Sequence, residues 1–185
     1  MAASTAGNRV WLDIDLKKLR RNLSRIRAAV SPAGVIAVLK ANAYGLGVLP
    51  IANALAEEGV DGFAVAEPRE ARELCPLGLP VQILGGVLPA ELPETVAAGV
   101  IHPITSLASA RELSAEATRQ GREVECHFLV DTGMGRLGIL SEDAVATITE
   151  TIALPGLACR GIYTHFPVAY RAGEEYTMGQ VNRFR

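Results

Sequence analysis

Aromatic residues make up only 5% of this 185-residue chain, and it has one tryptophan. No apolar run approaches the roughly 20 residues that cross a bilayer, which excludes a membrane-spanning helix as an expectation. Met1 to Asn8 are small and polar with no apolar stretch, so no signal peptide is expected. Cysteine is scarce. Cys75, Cys126 and Cys159 are odd in number, widely spaced and never in a CxxC pair. That pattern predicts reduced thiols in a cytoplasmic protein, not disulfides or a zinc site. His102, His127 and His165 are equally scattered, so spacing proposes no metal site. A net charge of −2 argues against a nucleic-acid partner.

What is present is apolar residue in quantity, 49% of the chain, enough for the core of one ordinary domain. The basic stretch Lys17 to Arg27 is periodic. Leu16, Leu19, Leu23, Ile26 and Val30 recur at helical spacing, so its charges form the solvated face of an amphipathic helix. Beyond it, strand-like and helix-like segments alternate. Strands are expected near Val35 to Leu39, Gly62 to Ala66, Val81 to Leu84, Val100 to Ile104, Val124 to Val130 and Leu157 to Tyr163. Helix patterns run from Ile51 to Glu58, stopped by Gly59, and from Ala90 to Ala98, stopped by Gly99. Ser106 caps a third closed by Gly121, Ser141 caps Glu142 to Thr151, and a last helix covers Glu174 to Arg185. Such alternation implies an α/β fold with right-handed crossovers and a mostly parallel sheet.

The most informative stretch is Ala37 to Gly47, AVLKANAYGLG. Lys40 closes a short β-branched run suited to a strand buried on both faces, and so leaves the core at the strand's carboxyl end, where α/β folds place their ligands. Asn42, Gly45 and Gly47 are expected to carry a sharp turn there. A free lysine amine has a pKa of about 10.4 and is a poor nucleophile near neutrality, whereas partial burial or a nearby cation frees it for imine formation. The residues alone also fit a lysine that merely snorkels from a barrel mouth, with Tyr44 as a loop aromatic.

The Ala37 to Gly47 run resembles the pyridoxal-phosphate attachment motif of alanine racemases. Four further segments resemble that family in the same order: Trp11 to Leu16 with Asn22 and Leu23, Gly62 to Ala66, Asp131 to Gly138 (DTGMGRLG), and Gly161 to Phe166. The resemblance implies a TIM-type (β/α)8 barrel, which needs eight strands and typically about 250 residues. About six strand–helix units fit here, so the barrel is expected to be incomplete. Residues 1–185 then form the amino-terminal part of a pyridoxal 5'-phosphate-binding barrel, with the remaining strands and a mostly β carboxyl-terminal domain outside this chain.

By the same resemblance, Lys40 holds the cofactor covalently and then acts as one of two acid/base groups at the substrate α-carbon. Tyr44 contacts the cofactor phosphate, Arg136 its phenolic oxygen and the substrate region, and His165 lies beside the pyridine ring. The implied activity is interconversion of L-alanine and D-alanine, supplying D-alanine for peptidoglycan, by a homodimer. The second base is a tyrosine of the partner subunit outside this chain, so residues 1–185 alone are expected to turn over poorly. Asp131 and Thr132 are read as shaping their loop, and Trp11, Met134 and Phe166 as packing residues. Three departures stand out. Leu46 replaces the motif's usual histidine, Leu129 stands where many members carry a carbamylated lysine that orients the arginine, and Pro167 to Tyr170 replace the usual small and acidic residues. A racemase of another amino acid such as serine, or a non-catalytic pyridoxal-phosphate carrier, also fits these motifs.

Overall fold

The computed structural model describes residues 9–171 and 174–185, so the reading of Met1 to Asn8 lies outside it. A first helix, α1 (Leu16–Val30), is capped by Asp15, whose carboxylate accepts the Lys18 amide at 3.0 Å. Six βα units follow. They are β1 (Ile36–Val38) with α2 (Val48–Glu57), β2 (Gly62–Val65) with α3 (Pro68–Leu74), and β3 (Val81–Ile83) with α4 (Leu92–Ala98). Then come β4 (His102–Ile104) with α5 (Leu107–Gln120), β5 (Val124–Asp131) with α6 (Ala144–Ile152), and β6 (Leu157–Tyr163) with α7 (Glu175–Phe184).

The strands run parallel in chain order. Ile36 faces Gly62 across β1 and β2, Phe63 faces Val81 across β2 and β3, and His102 faces Cys126 across β4 and β5. A parallel bridge between Gln82 and Ile101 joins β3 to β4. β5 and β6 pair from Val124↔Leu157 to Leu129↔Tyr163, and a two-residue strand, Ile139–Leu140, pairs with the end of β5. The result is an α/β fold of parallel strands alternating with helices, a partial barrel with all strand carboxyl ends on one rim. Its core has two centres. Phe63, Val65, Leu74 and Ile83 lead the first, and Ile104, Leu113, Cys126 and Phe128 the second.

Several expectations need correction. β1 is not buried on both faces: it pairs only with β2 among the described residues, and Ile36 and Val38 are 46% and 36% exposed. The far half of the α1 apolar face is open for the same reason, with Ile26 half exposed while Leu23 is buried. Ser106 caps α5 by accepting the Ser109 amide at 3.1 Å, as expected, but Ser141 caps no helix. It opens a 3-10 turn, Ser141–Asp143, that delays α6 to Ala144. Trp11 is not a packing residue; it is 58% exposed. The cysteines are free, yet Cys126 and Cys159, distant in sequence, face each other across β5 and β6 with sulfurs 3.5 Å apart.

His102 is fully buried. Its Nδ1 donates to the Val100 carbonyl at 3.0 Å, and the Thr95 hydroxyl, 2.9 Å from Nε2, completes a neutral ring. Burial, opposed only by the bond to Val100, lowers its pKa to about 4. The unfolded imidazole takes a proton below about 6.5, so the stability this site gives is complete above that pH and is lost as pH falls through about 4. The loss expected is about 3 kcal/mol. Urea midpoints measured from pH 7 to pH 4 should fall more steeply for this chain than for a His102→Gln variant; parallel slopes would refute the assignment.

Candidate active site

The site grows from the turn after β1. Leu39 donates its amide to the Ala64 carbonyl at 2.8 Å, which keeps the strand aligned to its last residue and delivers half-buried Lys40 at the rim. The expected glycine turn is a different structure. Ala41, Asn42, Ala43 and Tyr44 all hold left-handed backbone, with φ of 53°, 54°, 52° and 56°, before Gly45 at 85°. An L-residue loses roughly 1–2 kcal/mol in that region, so four in succession need outside support. Side chains give it. Glu70 Oε1 accepts the Ala41 amide at 2.6 Å, and Asn42 Oδ1 accepts the Val48 amide at 2.7 Å. The turn leaves Tyr44 62% exposed above the pocket.

Arg136 is presented by the loop after β5. Asp131 shapes this loop as expected, its Oδ1 accepting the Gly133 amide at 2.8 Å and its Oδ2 the Gly135 amide at 2.8 Å. Burial opposes ionisation of Asp131, but those amides outweigh it and hold the carboxyl below its ordinary value. Thr132 acts otherwise than expected. Its hydroxyl meets that of Thr164 at 2.8 Å, tying the end of β5 to the end of β6. From α7, Gln180 donates to Thr132 Oγ1 at 3.2 Å and to the His165 carbonyl at 3.0 Å. Arg183 donates to the Thr132 carbonyl at 2.7 Å, and the Tyr176 hydroxyl donates to the Gly133 carbonyl. Nothing in the sequence marks these three α7 residues, because their partners lie 15 to 51 positions away.

The structure brings all four sequence-proposed residues together. Lys40, Tyr44, Arg136 and His165 line one pocket at the strand carboxyl ends, with Leu84, Leu129 and Tyr163 among its walls. Lys40 and Arg136 also face an adjoining hollow with Ala66, Gly85 and Leu137. Gly85 is required by close approach, since a Cβ there would stand 2.3 Å from the Ala66 carbonyl oxygen. Leu129 is buried in the wall, and among the described residues Arg136 has no acidic salt-bridge partner. Burial holds the Tyr163 phenol neutral, pushed up to about 12 against a weaker pull from the Gln82 amide. Partial burial, then the charges of Arg136 and Lys40, lower the pKa of His165 and favour its neutral ring. An NMR titration is therefore expected to place the His165 midpoint below the ordinary 6.5, and Arg136→Gln should move it part of the way back. A midpoint unmoved by the substitution would separate the two residues.

Among the described residues no group of three or more acidic, histidine or cysteine side chains could hold a metal ion, and no helix is long and apolar enough to cross a membrane. A partial parallel α/β barrel whose rim gathers a lysine, a tyrosine, an arginine and a histidine defines a barrel with a ligand pocket at the strand ends. The particular family follows from residues 14–185, which match the model described as "Alanine racemase, N-terminal domain", and the chain belongs to that family. It is 38% identical over 179 residues to the alanine racemase of Desulforamulus reducens, covering 95% of this chain and 48% of that protein. It superposes on the alanine racemase of Clostridium difficile 630 in complex with cycloserine with a TM-score of 0.88 at 32% identity, covering 92% of this chain and 48% of that one. The histidine racemase of Leuconostoc mesenteroides subsp. sake gives 0.84 at 27%, covering 91% and 46%. The chain thus spans about half the length of the curated relatives it matches.

Proposed function

We propose that residues 1–185 form the amino-terminal part of a pyridoxal 5'-phosphate-binding barrel, and that the complete protein interconverts L-alanine and D-alanine. The observation that supports this most is the convergence of Lys40, Tyr44, Arg136 and His165 on one pocket in a chain of the alanine racemase family. The donor set fits the cofactor. Lys40 offers an amine for attachment, Tyr44 a phenol for the phosphate, and Arg136 a planar fork for the phenolic oxygen or a substrate carboxylate.

Pyridoxal phosphate, when bound, supplies the electron sink that makes the substrate α-hydrogen acidic. Lys40 takes or returns a proton at one face of the α-carbon, which requires its amine free and close. Arg136 holds the substrate carboxylate so that this hydrogen points toward Lys40. Neutral His165 avoids a third positive charge beside Lys40 and Arg136, while Leu84 and Leu129 give the pocket an apolar stretch of wall. Racemisation needs a second base on the opposite face, and we assign it to the partner subunit of a homodimer, outside residues 1–185. Such an enzyme suits the cytoplasm and a supply of D-alanine for peptidoglycan.

The test is borohydride reduction of the chain with pyridoxal phosphate, followed by peptide mass mapping. The chain has three lysines, Lys17, Lys18 and Lys40, so site selection is read directly. A pyridoxyl group concentrated on Lys40 supports the reading, and labelling spread over all three overturns it. The likeness to a histidine racemase favours one second reading, a racemase of another amino acid. Assay of the complete enzyme on a panel of L-amino acids separates the two.

A further inference from the structure

The carboxylate of Glu70 does more than cap a helix. It sits at the third position of α3, where its Oε2 accepts the Glu67 amide at 3.2 Å and completes a capping box. A capping box asks only for that bond. Glu70 makes two others. Oε2 accepts the Ala66 amide at 2.8 Å, and Oε1 accepts the Ala41 amide at 2.6 Å, 29 positions away. Ala66 is the first residue after β2 and Ala41 the residue after Lys40, so one half-buried carboxylate joins the rim ends of two neighbouring strands. The Ala41 amide is also where the left-handed turn begins, and Ala66 and Lys40 line the same hollow.

We propose that Glu70 is the positioning residue for Lys40: by gripping the amides of Ala41 and Ala66, it fixes the left-handed turn and with it the direction in which the Lys40 amine enters the pocket. The inference rests on the reading of Lys40 as the attachment lysine. Glu70 touches neither substrate nor cofactor in this scheme and acts only through the backbone of Ala41. The carboxylate is chemically suited to this, because it accepts at both oxygens and donates at neither. A glutamine cannot replace it. Its NH2 would meet either the Ala41 amide or the Ala66 and Glu67 amides donor to donor.

The experiment compares the chain with Glu70→Gln, Glu70→Asp and Glu67→Ala, reading the share of pyridoxyl on Lys40 against Lys17 and Lys18 after borohydride reduction, and the hydrogen exchange of the Ala41 amide. Glu67→Ala removes the other half of the capping box and leaves the grip on Ala41 and Ala66 in place. In Glu70→Gln the preference for Lys40 is expected to fall about tenfold and the Ala41 amide to exchange about tenfold faster, one charge-assisted hydrogen bond being lost. Glu67→Ala should change neither. Glu70→Asp, which keeps the charge and shortens the reach, should fall between and serves where the glutamine variant does not fold. Preference and exchange within twofold of the parent in the Glu70 variants would overturn the proposal while leaving Lys40 as the attachment lysine. If the parent shows no preference for Lys40, the functional reading fails, and unchanged Ala41 exchange in the Glu70 variants then overturns the positioning role as well.

Discussion

Lys40→Ala is expected to abolish site-selective pyridoxyl labelling and, in the complete enzyme, to lower kcat/KM for alanine racemisation by about 10⁴-fold or more. The size follows from the two roles proposed for Lys40, since a positioned acid/base group contributes about 10²–10⁴-fold and the proposed covalent anchor for the cofactor would go with it. Position is what separates Lys40 from the other lysines. Lys18 stands 70% exposed on α1, 3.8 Å from the Asp15 carboxylate and outside the pocket lining, whereas Lys40 is half-buried beside Arg136 and His165. Lys40→Arg is the informative companion. It keeps a positive charge but cannot attach a carbonyl, so it should fail as completely as alanine if chemistry, not charge, is the requirement. Racemase activity within tenfold of the parent in either variant would remove Lys40 from the mechanism.

Ala43→Val is expected to destabilise the fold by about 3 kcal/mol or more. Ala43 is 2% exposed and holds φ at 52°, so valine meets two penalties. A β-branched side chain strains left-handed backbone beyond the roughly 1–2 kcal/mol that alanine already carries, and two added methyl groups overpack a filled site at about 1–3 kcal/mol. Ala43→Gly isolates the backbone term. It relieves the left-handed strain but gains freedom in the unfolded chain, so its net effect should lie within about 1 kcal/mol of zero. Urea unfolding of the two variants measures both. A valine variant as stable as the glycine one would mean that the turn does not hold the left-handed form.

The contrast between these residues explains what the amino-acid sequence disclosed. β2, β3, β5 and β6 sit within a residue or two of the positions that apolar runs indicate, because Phe63, Val81, Phe128 and their neighbours have no other place to hide. Lys40 is legible as a candidate because it closes such a run at the strand's carboxyl end, whereas Tyr44, Arg136 and His165 are legible only through the resemblance of their segments to a known family. The left-handed turn was not, since alanine has no local preference for it and the support comes from Glu70, far along the chain. Trp11 misled for the opposite reason: an aromatic suggests burial, but no described element covers it. Leu129 stands where the resembled family often carries lysine, and its burial in the pocket wall is a fact of packing that the sequence alone does not give.

Gln180 and Arg183 reach back to Thr132 from 48 and 51 residues further along, and the Tyr176 hydroxyl reaches back 43 to the Gly133 carbonyl. During synthesis at about 5–20 residues per second, β1 to β3 and their helices leave the ribosome well before α7 exists. The lysine side of the pocket therefore has its framework several seconds before the arginine side, where the loop of Arg136 stays without its clasp until α7 has emerged. A ribosome stalled short of Tyr176 would hold a nascent chain whose Lys40 turn is set and whose Arg136 still wanders.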